Sequence, residues 1–294
     1  ELGWLNSVTN SVPMLLRASD GHSVSANTPG LELAQISNET EDPPAGIIER
    51  DESGAPSGTF RESAMYLLER HVPTMTEQDR LKTMRAAIAA MNQFGITSAF
   101  DAWVSAADVS AYRALDAENQ LNLRIRAALA YGHGDLFTTD TAAVYESHLK
   151  DRKALSTDRF QLGAVKLFID GVLEGETAVL LTPYLNKPGY LGELTYPQDE
   201  LNQMVSDLVE NDVQVYTHAL GDGGVRAILD AFEQAKQVHG SKDLRHHVSH
   251  MQLIHPDDHG RFAELDVAAA ALMPVAPTSS SCGTAAAPPR RMRS

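Results

Sequence analysis

The stretch "VQVYTHALGDGGVRAILDAFEQAKQVHG" (residues 213–240) decides the fold. "VQVYTHALGD" is rich in β-branched and aromatic side chains and reads as a buried strand with His218 near its end. "GGVRAILDAFEQAKQVHG" follows at once and reads as a helix closed by Gly240. A strand passing through a glycine turn into a helix is one β/α unit.

The unit recurs on both sides. "TEQDRLKTMRAAIAAMNQFG" opens with a Thr-Glu-Gln-Asp cap and ends at Gly95, so it predicts a helix, and "ITSAFDA" (96–102) a strand. "LNLRIRAALA" (121–130), "GAVKLFIDG" (163–171), "LRHHVSHMQ" (244–252) and "VAAAALMPV" (267–275) read as further strands. "TDTAAVYESHLKDRKA", "QDELNQMVSDLVEND" and "PDDHGRFAEL" read as the helices between them. Strands alternating with helices imply an α/β fold with a parallel sheet, either a (β/α)8 barrel or an open doubly wound sheet. Residues 1–75 read as irregular, with a hairpin in which "GIIER" and "GTFRE" flank "DESGAPS". The tail "APTSSSCGTAAAPPRRMRS" (276–294) has no periodicity and is read as disordered or non-native.

Composition narrows the functional classes. With 43% hydrophobic and 21% charged residues, the 294-residue chain can build a sizeable core. A net charge of −15 argues against nucleic acid and anionic membranes as partners. Cys282 is the single cysteine, which excludes an intrachain disulfide and a thiolate zinc cluster. "ELGWLNSVTN" lacks the regions of a signal peptide, so the compartment stays open, with the cytoplasm favoured.

Active-site groups of parallel α/β folds gather at the C-terminal ends of the strands. The polar residues at those ends are Asp101, Tyr131, His133, Lys166, Asp170, His218, Asp222, Ser249, His250 and Gln252. Asp101 and Asp222 read first as helix caps. His133, in "YGHGD", is an exposed loop residue or a substrate contact. His218 and His250 stand at corresponding levels of successive strands, either a metal pair or hydrogen-bonded core residues. His246 and His247 face opposite sides of their strand, and neither is given a metal role. Lys166, inside an apolar run, is a Schiff-base nucleophile, an anion anchor, or a lysine carboxylated by CO2. The carboxylated form suits a divalent metal, because a buried ammonium is costly while a metal-bound carbamate is not. "HALGDGGVR" matches the spacing of neither a dinucleotide fingerprint nor a P-loop, and a phosphate role ranks below a metal site.

Several segments resemble the amidohydrolase superfamily, in the branch called amidohydrolase family 3, which includes N-substituted formamide deformylases and YtcJ-like proteins. They are "DGHSVSANTPGLELAQI" (20–36), "DPPAGIIERDESGAPSGTFRESA" (42–64), "GITSAFDA" (95–102), "VKLFIDGVLEGETAVLLTPY" (165–184), "VYTHALGDGGVRAILDAFE" (215–233) and "RHHVSHMQLIHPDDHGRFAELDV" (245–267). The resemblance implies a (β/α)8 TIM-type barrel, here incomplete with strands two to seven over 76–275, and a lid-like insertion over 1–75. It implies one or two divalent ions, zinc first, held by Lys166 as a carbamate, His218 and His250. His22 and Asn27 would be substrate contacts in the lid. The family has Glu where this chain has Ser249.

The family's strand-one His-x-His and its strand-eight aspartate, the general base, are not found, so the catalytic residue is unknown. The chain is therefore expected to be an interior piece with a shifted reading frame at its end and open barrel edges, weakly active or inactive. The reaction implied for the whole enzyme is hydrolysis of an amide or other C–N bond of a small molecule. Three rivals stand beside it: a non-catalytic binding barrel, a Schiff-base lyase using Lys166, and an interaction role in which the edges pair, giving a homo-oligomer.

Overall fold

A computed structural model describes residues 2–19, 21–131 and 142–271. The N-terminal part forms α1 (Leu2–Val8), β1 (Leu15–Arg17), β2 (Ser23–Ala26), α2 (Thr28–Leu33), β3 (Gly46–Arg50), β4 (Pro56–Glu62) and α3 (Tyr66–Glu69). Alternation then begins with α4 (Glu77–Gln93), β5 (Ser98–Val104), α5 (Ala106–Ala117), β6 (Arg124–Ala130) and α6 (Ala142–Leu155). It continues through β7 (Phe160–Phe168), α7 (Gln198–Glu210), β8 (Gln214–Ala219), α8 (Asp222–His239), β9 (His247–His250), α9 (Arg261–Glu264) and β10 (Ala268–Ala271).

Local chemistry accounts for the boundaries. Thr76 accepts a hydrogen bond from the Asp79 N–H to start α4, and Gly95, at φ +76°, takes the left-handed conformation that ends it. α5 is not among the elements expected from the sequence, although Ser105 and Asp108 form a reciprocal capping box at its start. α8 buries Val225, Ile228, Leu229 and Phe232, the i, i+3, i+4, i+7 stripe of a helix lying on a core.

The expected hairpin is β3 paired antiparallel with β4. It belongs to a four-stranded antiparallel sheet, ordered β1-β2-β4-β3, so this region is more regular than its sequence suggested. Val24, Ala26, Ile48 and Phe60 line one face of that sheet and pack with Leu31 and Leu68.

The second sheet has six strands in the order β5-β6-β7-β8-β9-β10. The pairs β5/β6, β6/β7 and β9/β10 are parallel. A doubly wound sheet reverses its strand order at a switch point. Here spatial order follows chain order throughout, as in (β/α)8 folds.

The described residues divide into two compact units. The first holds the residues up to Leu167 together with Asp207–Tyr216 and Leu244–His246; the second holds Phe168–Ser206, Thr217–Asp243 and the residues from His247 onward. In the first unit the Phe100 ring on β5 stacks on Tyr216 of β8 with centroids 5.0 Å apart. Two strands lie between them, and a flat sheet would hold them about 14 Å apart. The sheet therefore curves toward these side chains. Gly163 of β7 leaves room for Arg126 of β6, whose guanidinium reaches over it to donate to Gln214 of β8 at 2.9 Å. Among the described residues no helix is long and apolar enough to cross a membrane.

Candidate functional site

Lys166 lies in the first unit, paired in register with Ala130, and its carbonyl accepts from the Tyr131 N–H at 3.1 Å. Val165 and Leu167 are fully buried, and Lys166 is itself 4% exposed. Its Nζ sits over the Tyr216 ring, 4.8 Å from the centroid. Burial pulls its pKa from 10.5 down to about 7. Near neutral pH a large fraction of the amine is therefore uncharged and nucleophilic.

His218 and His250 lie in the second unit. His218 is 1% exposed and its Nε2 is 2.9 Å from the Gly171 carbonyl oxygen. A carbonyl only accepts, so Nε2 carries the proton, and in the neutral ring Nδ1 keeps the lone pair. The same Nε2 is 3.8 Å from Asp170 Oδ1. The His250 ring lies 4.8 Å from the His218 ring, centroid to centroid.

His250 ends β9 in a left-handed conformation, φ +76°. The Met251 N–H donates to the Ser249 carbonyl at 3.1 Å and to that of Ala219 at 2.9 Å. His250 is thus the central residue of a γ-turn of the rare, strained sign. Such backbone costs on the order of 1–3 kcal/mol for a residue other than glycine.

Asp170, also in the second unit, was read only as one polar strand end among several. Its Oδ1 accepts from the Leu220 N–H at 2.9 Å, and its Oδ2 from Gly221 N–H at 2.9 Å and Val179 N–H at 3.0 Å. Gly223 and Gly224 N–H donate to the Val179 carbonyl at 2.9 and 3.2 Å. The donors around the start of α8 are therefore engaged by the chain's own oxygens, which accounts for "GDGG" without a phosphate. The glycines serve close packing: a Cβ on Gly221 would stand 1.9 Å from the Val179 oxygen, and one on Gly224 2.6 Å from Asp170 Oδ2. The role of Asp170 is not visible in the sequence because its partners are main-chain groups 9 to 51 residues away.

The other strand-end residues take plainer places. Asp101 does not cap α5, since Ser105 does. Its Oδ2 accepts from the Tyr112 hydroxyl at 2.8 Å, and burial raises its pKa despite that bond. Asp222 is the first residue of α8 after the cap Gly221, and its carboxylate accepts from the Leu181 N–H at 2.9 Å. Ser249 Oγ donates to the Thr217 carbonyl at 2.6 Å, and Thr217 Oγ1 donates to the His247 carbonyl at 3.0 Å. These two hydroxyls stitch β8 to β9 on the face opposite the histidine pair. His246 is buried and its Nδ1 accepts from the Val215 N–H at 3.0 Å, while His247 is half-buried and Gln252 exposed.

His22 and Asn27 flank β2 of the small antiparallel sheet, the first just before it and the second just after it, in the first unit. His22 Nδ1 pairs with Glu62 Oε2 at 2.9 Å. Asn27 caps α2 with Oδ1, which accepts from Gly30 N–H and Met14 N–H, while Nδ2 donates to the Thr9 and Val12 carbonyls. All four of its hydrogen-bonding positions are used within the chain. His133 and the tail 276–294 lie outside the described residues. Among the described residues there is no group of three or more His, Cys, Asp or Glu placed to hold a metal ion.

Sequential strand order in a curved sheet of parallel strand pairs, with helices between the strands, defines an α/β protein with a half-barrel sheet. The chain belongs to the amidohydrolase family, whose sequence pattern matches residues 2–289. It is 28% identical to the protein LONG AFTER FAR-RED 3 of Arabidopsis thaliana over 279 residues, covering 90% of this chain and 46% of that one. It is 25% identical to the N-substituted formamide deformylase of Arthrobacter pascens over 246 residues, covering 79% and 43%. The chain thus spans about half the length of the curated relatives it matches. Its fold is similar to that of part of an uncharacterized metal-dependent hydrolase from Pyrococcus furiosus, with a TM-score of 0.63, 24% identity, and coverage of 90% of this chain and 51% of that one.

Proposed function

We propose that the chain contributes metal ligands to a hydrolase that cleaves an amide or other C–N bond of a small molecule. The observation that carries this reading is the His218–His250 pair, with one tautomer fixed by Gly171 and the other ring held on a strained turn. A hydrogen bond that fixes the tautomer and the ring orientation is the usual companion of a metal-bound imidazole. Taken one by one, the donors suit a divalent ion, zinc first: the imidazoles of His218 and His250 in the second unit and, in the first, Lys166 as a carbamate formed from its largely neutral amine. When bound, such an ion supplies activation of water and polarisation of a carbonyl. The chain's own residues orient the imidazoles and keep the lysine amine away from bulk water. Family membership and the deformylase relative support the choice of a C–N bond.

The test is zinc titration of the purified chain beside His218→Ala and His250→Ala. Each substitution is expected to weaken binding by about tenfold or more, the cost of losing even an outer contact at a metal site. Unchanged affinity in both variants overturns the metal reading in favour of a binding barrel. The depressed Lys166 pKa favours a second reading, a Schiff-base lyase. Borohydride trapping of a carbonyl compound on the chain, lost in Lys166→Ala, would select it.

A further inference from the structure

Lys166 shares its unit with two aromatic side chains from other strands. Its Nζ lies over the Tyr216 ring at 4.8 Å, and that ring is stacked on Phe100 at 5.0 Å with 24° between the planes. A lysine stem has more rotamer freedom to lose than almost any other side chain. A ring below the amine and burial around it restrict where Nζ stands. The face of a phenol ring is electron-rich, so it accepts an N–H or an ammonium and repels a carboxylate-like oxygen.

We propose that Tyr216, braced by Phe100, is a positioning residue for Lys166. It holds the amine for reaction with carbon dioxide and turns the oxygens of the resulting carbamate away from the ring. In that step the Nζ lone pair forms the N–C bond to carbon dioxide. One C=O electron pair moves onto oxygen, and one N–H proton passes to solvent. Nothing is oxidised or reduced. The inference rests on the carbamate reading of Lys166 given above.

The experiment is 13C NMR of the full chain equilibrated with 13C-bicarbonate, with Lys166→Ala as baseline and a circular-dichroism melt to establish that each variant is folded. Tyr216→Phe keeps the ring face and is expected to keep the carbamate signal. Tyr216→Leu keeps bulk without the face and is expected to lose about tenfold, the scale of freeing one lysine side chain. Phe100→Leu removes only the brace and should lose less, about threefold by the same reasoning. Wild-type signal in a folded Tyr216→Leu overturns the inference and leaves the carbamate reading standing. Should that variant not fold, an undiminished signal in Phe100→Leu overturns it instead. A wild-type chain with no signal above baseline removes the carbamate reading, and this inference with it.

Discussion

Lys166 and Asp170 are both ionisable and both nearly sealed from water, 4% and 2% exposed. They stand four residues apart in the sequence, and their surroundings are opposite in kind. Asp170 collects main-chain N–H groups from Val179, Leu220 and Gly221, so its charge is met by fixed dipoles. Lys166 meets an aromatic face, and burial depresses its pKa to about 7. The first arrangement makes a joint between segments; the second favours the neutral amine. Burial alone does not fix the charge state of a sealed group. The groups supplied around it do.

The strongest way to break the Asp170 side of this contrast is Gly221→Ala. Its Cβ would meet the Val179 carbonyl, a main-chain atom that cannot swing aside. A loss of about 3–4 kcal/mol in urea unfolding is expected, at the upper end for overpacking. Asp170→Ala comes next. Three buried N–H groups lose their acceptor, for about 2–3 kcal/mol after some rescue by water, and Asp170→Asn should restore part of it. A loss below about 0.5 kcal/mol, the range of ordinary surface changes, would mean that the joint is not a joint.

Lys166→Met is the smallest effect and opposite in sign, a gain of about 1–2 kcal/mol at pH 7 in the metal-free, uncarboxylated chain. The folded pKa, about 7, lies below the unfolded 10.5, so the unfolded chain holds the extra proton between those values. The penalty of burying Lys166 is full below pH 7, shrinks as pH rises toward 10.5, and is gone above it. Wild type should therefore catch up with Lys166→Met across that window. Parallel stability curves for the two proteins would show that the amine is not desolvated as described.

Much of this was legible in the sequence, because hydrophobic periodicity and caps are local signals. "TEQDRLKTMRAAIAAMNQFG" stated both ends of α4, and the strand around Lys166 was visible from its apolar run. The small antiparallel sheet was not, since its strands are short and β1 pairs with residues seven to eleven positions away by neither clear alternation nor a tight turn. Asp101 and Asp222 looked like caps because a strand-end aspartate usually is one. The structure gives the caps to Ser105 and Gly221 and the carboxylates to Tyr112 and Leu181. Nor could a sequence announce the turn at His250, because positive φ is uncommon at any residue other than glycine and no local signal marks it there.

That turn has an evolutionary consequence. Glycine would occupy position 250 without strain, and under the metal reading proposed above the histidine trades stability for an imidazole. A library sorted for heat resistance alone should drift to glycine there, whereas one sorted for metal retention should keep the histidine.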